Sequence, residues 1–354
     1  MIPSYQFTCG GSDITSILSF NCSSGRQSKT DVYASGTASF TVRNPQDLPA
    51  SVVMEALVSC GANGRSLFSG YVTNIQFNYG MVTNEDTCTI SLEGYLSFLG
   101  RGYLDNFALT GGTTGAEANR IGTSLSGSAK TISNIGTSSL TDTSSYTGAA
   151  QNILTTLVSQ EQGRLQEGSG QLYFFGRSYL QNPAASPYFF FDFKFTDTNP
   201  GTTGVAYNAV NFASSTDNYF TQTTITPASV APQFAGNGSR NLQLSTYDPT
   251  TTQADNLAKY ALNEFNSNTS VPQSISTKNS LDSAMDPIEM LLVGWQLPII
   301  FRGTTYQTII EGWTISANPE DIFYTFYVSG FEQNNYLKLD DAVFGRLDYN
   351  KLGF

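Results

Sequence analysis

The sequence predicts a mainly β protein, built of β-barrel or sandwich domains, with a small α+β insert carrying two or three short helices. Three observations predict it. Charged residues make up only 13 % of 354, while Gly, Ser, Thr, Asn, Tyr and Phe are abundant, a composition that suits short strands and many turns. Alternating apolar runs recur at both ends of the chain, separated by turn residues at intervals typical of sandwiches and barrels. Between them, Thr147 to Arg177 reads as one helix feeding a hairpin. A chain of this length implies two to three domains and ample core. The segments are 1–104 (β), 105–186 (α+β), 187–269 (β-rich, with a helix near 254–265) and 270–354 (β, with a tail extension).

In the first segment Ile14 to Cys22 alternates imperfectly, and Thr37 to Val42 places Ala38, Phe40 and Val42 on one face. Ser51 to Ser59 would present Val52, Met54, Ala56 and Val58 together. Leu67 to Phe77 and Thr87 to Leu96 complete the strand candidates. In the second segment Thr113 to Leu125 has Ala116, Ile121 and Leu125 at near-helical spacing, although Gly122 weakens a helix. Ser124 to Tyr146 is a Ser/Thr/Gly-rich loop by composition.

The central helix is predicted over 149–162. Ile153, Leu154, Leu157 and Val158 share one face, Thr147 or Gly148 caps the start, and Gly163 is the expected left-handed residue past the end. The hairpin is predicted over 164–175: Arg164-Leu165-Gln166 and Gln171 to Phe175, joined by Glu167-Gly168-Ser169-Gly170.

Further on, Tyr188 to Phe195 packs aromatics on both faces, as in a doubly covered strand. Ala254 to Phe265 puts Leu257, Ala258, Ala261, Leu262 and Phe265 on one helical face, capped around Thr252 to Asp255. Glu289 to Phe301, Tyr306 to Ala317 and Asp321 to Gly330 are strand candidates.

Chemistry is restricted by what the chain lacks. It has no histidine, so no Ser-His-Asp or Cys-His pair and no His ligand. No nucleotide-binding glycine motif follows a strand. Carboxylate-pair catalysis stays open among 28 acids, with scattered surface acids the preferred reading. Asp340-Asp341 lack further ligands at calcium-loop spacing. Cys9, Cys22, Cys60 and Cys88 are read as buried free thiols, ahead of disulfides and a metal site. The expectation is therefore no catalytic, cofactor-binding or metal-binding residue and no cofactor.

A net charge of −11 without a basic run argues against sequence-specific nucleic-acid binding. No membrane span is predicted, and the start has neither a basic nor an apolar leader region, so assembly in a cytoplasm is expected.

Four ordered phrases resemble the minor tail and tail-hub proteins of long-tailed bacteriophages. The opening has Asp13-Ile14-Thr15, Gly25-Arg26, Asp31, Gly36-Thr37-Ala38 and Arg43-Asn44-Pro45; Arg26 and Asp31 have a simpler local reading as a pair. The centre, EQGRLQEGSGQLYFFGR, resembles that family's helix-to-hairpin segment. The third is the strand before the second helix, with Phe234 where Tyr is usual, and the fourth is the tail YLKLDDAVFGRLDYNKLGF.

The resemblance implies tube-like β-barrel domains at 1–104 and 270–354. It also implies a homotrimeric hub at the distal tail of a virion, assembled in the host bacterial cytoplasm. The implied partners are further copies of the chain, distal-tail and tail-tube proteins, tip or fibre proteins, and tape-measure protein or DNA passing through a neutral or acidic channel. The alternatives are a receptor- or glycan-binding tip module and a cell-wall-degrading glycosidase. Consistent with two related domains, Phe68-Ser69-Gly70-Tyr71-Val72 through Gly94 can be laid over Ile310-Glu311-Gly312-Trp313-Thr314 through Gly330.

Overall fold

A computed structural model describes residues 5–62, 65–81, 85–126, 132–136, 140, 143–168, 171–176, 194–197, 204–213, 222–226, 233–234, 240–247, 254–255, 257–259, 261–262, 271–278, 287, 291, 293–294, 296–318 and 320–330. The N-terminal strands are β1 (Tyr5–Cys9), β2 (Ser12–Ile14), β3 (Ile17–Gly25), β4 (Thr37–Arg43), β5 (Leu57–Ala62), β6 (Arg65–Asn78) and β7 (Thr87–Glu93). The middle unit follows as α1 (Tyr95–Arg101), β8 (Tyr103–Ala108), α2 (Thr114–Ser126), β9 (Ile132–Ile135), β10 (Ser145–Ala149), α3 (Ala150–Glu161), β11 (Arg164–Gly168) and β12 (Gln171–Phe175). Then come β13 (Lys194–Thr196), β14 (Gly204–Ala206), β15 (Ala209–Ala213), β16 (Gln222–Thr226), β17 (Gln233–Phe234) and β18 (Asn241–Ser245). The C-terminal strands are β19 (Val271–Lys278), β20 (Gln296–Phe301), β21 (Thr304–Ala317) and β22 (Ile322–Gly330).

The fold is mainly β, as the composition predicts. Strands from both ends join in one 14-stranded sheet, β14-β13-β20-β21-β3-β4-β7-β6-β5-β1-β2, with β22, β19 and β15 branching from β21. The pairings among the described residues leave this sheet open and form no closed barrel. Period-two alternation drives its packing: Ala38, Phe40 and Val42 of β4 and Cys88, Ile90 and Leu92 of β7 point inward. They share one core with Trp313, Ile315, Tyr324 and Phe326 from the other end of the chain. The middle unit has its own core, from Tyr95, Leu96 and Leu99 through Ile153, Leu154 and Leu157 to Leu172 and Phe174.

Within the large sheet one arrangement occurs twice. The order β5-β6-β7-β4-β3 and the order β20-β21-β22-β19-β15 are antiparallel at every step. The two agree in detail. β6 bulges between Val72 and Asn74, and β21 between Ile310 and Gly312. The carbonyl of Val72 accepts from Glu55 N at 2.8 Å, and that of Ile310 from Gly294 N at 2.7 Å. Glu55 and Gly294 both have positive φ, 65° and 87°. Across the strands, the row Asn74–Ser91–Ser39–Asn21 corresponds to Gly312–Tyr327–Ser274–Asn211. The sequence overlay therefore picked equivalent hairpins: its Gly94–Gly330 match agrees with these rows, whereas its first strand is four residues out of register, with Phe68 rather than Val72 set against Ile310.

Other expectations are corrected locally. The strand predicted over Ser51 to Ser59 starts only at Leu57, because Glu55 turns the backbone; Val53 and Met54 are exposed. The strand predicted from Ile14 is broken at Ser16, φ 61°. β7 ends at Glu93, and Gly94 opens α1 where strand was expected to Leu96. In α2 the inward residues are Ala118 and Ile121, whereas Ala116 is exposed.

The segment read as a loop carries β9, parallel to β12, and β10, antiparallel to β8. The helix and hairpin at the centre fall where predicted, but the N-cap is Ala149 and the left-handed residue is Gln162. Gly163 is needed for a different reason: a Cβ there would lie 2.5 Å from the Phe175 carbonyl. Residues 254–255, 257–259 and 261–262 are helical and bury Leu257, Ala258, Ala261 and Leu262. Phe265, Arg177, Tyr188 to Phe193 and the terminal phrase lie outside the described residues.

All four cysteines are buried and free, and burial pushes the Cys22 and Cys60 thiols well above their usual range. Alkylation in denaturant without reductant should add four labels by intact mass; two or fewer would refute four free thiols.

Candidate functional site: the module junction

The two five-strand modules meet on β21. The first part of this long strand pairs with β20, Gln296↔Ile309 to Phe301↔Thr304. The second part pairs on the same edge with β3, Gly312↔Gly25 to Ala317↔Phe20. β22 runs along the other edge from Thr308 to Ala317, past the change of partner. The change of partner falls at Glu311, the bulged residue.

Bulging aims the Glu311 side chain into the interior, where it is fully buried. Its carboxylate accepts from Arg26 Nε at 2.8 Å, Arg164 Nη2 at 2.9 Å and Ser329 Oγ at 2.6 Å. Burial alone would raise its pKa, but Arg164 and Arg26, with the Ser329 hydroxyl, outweigh that and hold the carboxyl at about 2. The Arg26 N–H also donates to the Glu311 carbonyl at 2.9 Å, and the Arg26 guanidinium lies 4.6 Å from the Tyr33 ring centroid. So the ion pair of Arg26 is with Glu311; toward Asp31 its Nη1 donates only to the backbone carbonyl, at 3.4 Å, while the Asp31 carboxylate accepts from Ser28 N.

Close backbone approach makes room for this tie. A Cβ on Gly25 would meet the Glu311 carbonyl at 2.4 Å, and one on Gly312 would meet Arg26 O at 2.5 Å. Only glycine fits at both positions.

The middle unit is fixed through β11, which supplies Arg164 to this cluster and Glu167 to a second. Glu167 accepts from Leu96 N at 2.5 Å, from Gly36 N, and from Ser35 Oγ at 3.4 Å. Burial pushes its carboxyl up to about 7 against those donors. Gly36 and Gly94 flank it, each too close to the carboxylate for a side chain.

These groups tie elements together; both Glu311 oxygens are engaged by cations and a hydroxyl. The other buried acids are also bonded, Glu117 to Thr110 and Arg120, and Glu161 to Thr114 Oγ1. One cleft of about 320 Å³ lies between the 26–33 loop, the end of α3 and β18, with Asp31 the single carboxylate among its described lining residues. Another of about 490 Å³ lies over β3, β4, β7 and β21, with Glu93 the single carboxylate among its described lining residues. Among the described residues no three His, Cys, Asp or Glu side chains gather as a metal site. No described helix is long and apolar enough to cross a membrane.

Sequence reading did not single out Glu311 or Glu167. The available signal for Glu311 was a lone charge in the apolar run Ile309-Ile310-Glu311-Gly312-Trp313.

No protein-family model matches the chain, and no curated protein does. Solved structures do. A tail protein from Neisseria meningitidis MC58 is 12 % identical, with a TM-score of 0.67 over 93 % of this chain and 96 % of that one. The chain has the fold of phage tail proteins. The 43 kDa tail protein of prophage MuSo2 from Shewanella oneidensis gives 0.62 at 13 % identity, over 92 % and 97 % of the two chains. An Escherichia coli type VI secretion component, described as structurally similar to T4 bacteriophage tail proteins gp27 and gp5, gives 0.57 at 11 % identity, over 92 % and 77 %. In this tail-protein fold the junction at Glu311 holds the two modules together.

Replacing Glu311 by Gln should cost about 3 kcal/mol, since it leaves two guanidiniums half-satisfied. The wild-type carboxyl has a folded pKa of about 2, below an unfolded value of about 4.3. Its stabilisation is complete above the unfolded value and is lost as pH falls toward the folded one. Denaturant titrations from pH 7 to 3 should show this loss in wild type and its reduction in Glu311→Gln. Parallel pH profiles would refute the assignment.

Proposed function

We propose that the chain is a structural virion protein of a phage tail: a hub whose copies form a homotrimeric ring at the distal end of the tail tube. The ring connects tube to tip and encloses the passage for DNA or tape-measure protein. The observation that carries this reading is the twice-used five-strand module. Three copies of a two-module chain present six similar modules, which suits attachment to a six-fold tube. The tail proteins sharing the fold support the same reading.

In this reading the partners are other copies, tail-tube and distal-tail proteins and tip or fibre proteins, and assembly takes place in the bacterial host. The first module lies within residues 1–104. The second combines the strands of 270–330 with β13 to β15 from the preceding segment. The role is mechanical rather than catalytic. A chain with 28 acids and 17 bases gives the bore a neutral or negative wall, which leaves nucleic acid mobile.

Native mass spectrometry of the full chain should show trimers, and negative-stain images should show rings with a central opening. A monomer at all concentrations would overturn the hub reading. Lys and Arg lining the narrowest section of the ring would overturn the charge assignment alone.

A further inference from the structure

The internal repeat leaves one module contact made and its counterpart unmade. Inside the chain, β3 of the first module pairs with the second half of β21 in the second module. The equivalent of β21 is β6, and the equivalent of β3 is β15. Among the described residues β6 pairs only with β5 and β7, so beyond Val72 its second edge carries no strand. Among the described residues β15 pairs only with β19, which leaves its other edge without a described partner.

Burial marks the same vacancy. Trp313 and Ile315, on the half of β21 that β3 covers, are 3 % and 2 % exposed. Their equivalents on β6 are Ile75 and Phe77; Ile75 is only half-buried and Phe77 is 48 % exposed. A long uncovered edge bearing an exposed aromatic is a template for another strand.

We propose that β15 of one copy adds to the free half of β6 of the next, reproducing between chains the β3–β21 contact within the chain. This deepens the ring reading of the proposed function and rests on it. The contact is head-to-tail, because the two edges differ, so repeated use closes a ring or grows a filament.

The register follows from the cross-strand rows. Asn74 stands where Gly312 does, and Asn211 where Asn21 does. The pair Ser316↔Asn21 then becomes Asn78 opposite Asn211 of the partner subunit. Counted along β15 itself, past the register shift that its ladder to β19 takes between Asn211 and Phe212, Ile315↔Cys22 likewise becomes Phe77 opposite Phe212 of the partner subunit. Phe212 already packs against Phe301 and Tyr306 of its own chain, with ring centroids 4.9 and 5.1 Å away, so Phe77 would join an existing aromatic cluster.

Hydrogen-bond phase is inherited as well. Arg26 N–H bonds the Glu311 carbonyl, so that pair is hydrogen-bonded, and alternation makes Ser316↔Asn21 a non-bonded pair. Asn78 and its partner would then have Cα atoms about 4.5 Å apart, within disulfide range. Both asparagines are exposed.

The test is the full-length double variant Asn78→Cys/Asn211→Cys, with each single variant as control, oxidised mildly and run without reductant. The expected result is covalent dimers and trimers in the double variant and none in either single variant. Phe77→Lys, at a site already half open in one chain, should keep the far-UV spectrum and thermal transition but shift native mass spectra from trimer to monomer. Trimers in which the double variant does not cross-link would overturn this interface and leave the ring reading standing. A ladder that continues past three chains would keep the edge pairing and overturn the closed trimer. A wild-type monomer would overturn both.

Discussion

A single buried carboxylate holds the two ends of the chain to the middle. Glu311 sits where β21 exchanges one edge partner for another, and Arg26, Arg164 and Ser329 reach it from the first module, the middle unit and β22. An uncompensated charge in that interior would cost several kcal/mol. The three units must therefore approach together, or the carboxylate is left without its cations. The bulge is the geometric counterpart of the same constraint, since it aims Glu311 inward and ends one pairing so that another can begin.

This arrangement explains why the chain is not two independent barrels joined by a linker. β21 gives one edge to both modules, and the core beneath it combines Phe20, Phe40 and Ile90 with Trp313, Ile315 and Phe326. The middle unit keeps a separate core and reaches the sheet through β11. Its two anchors differ: Arg164 joins an ion-paired cluster, while Glu167 accepts from the backbone N–H of Leu96 at the start of α1 and from that of Gly36 just before β4. The first fixes charge and the second fixes chain direction. Among the described residues a long sheet built this way leaves strand edges without a partner.

Legibility in the sequence followed how local each signal was. Period-two runs gave β4, β6, β7, β21 and β22, and the helix-to-hairpin unit was readable because α3, β11 and β12 are contiguous. Ser51 to Ser59 misled because its alternation is present while Glu55 takes a positive φ. Period alone cannot register that. β9 was hidden in a Ser/Thr-rich stretch because its pairing with β12 is parallel and non-local. The hairpin echo was visible as pattern, but the register of its first strand needed the bulges.

The sequence by itself determined the class: few charges, many turn formers and alternating apolar runs exclude a helical bundle, and the absence of histidine removes the commonest catalytic bases. It also placed the central helix and hairpin, whose contacts are local. Only the tertiary structure decided that Arg26 belongs to Glu311, 285 residues away, and that Arg164 joins them across 147. Nothing in local periodicity encodes such a meeting. It is fixed by one strand changing partners at a bulge, where a buried charge admits only the neighbours that satisfy it.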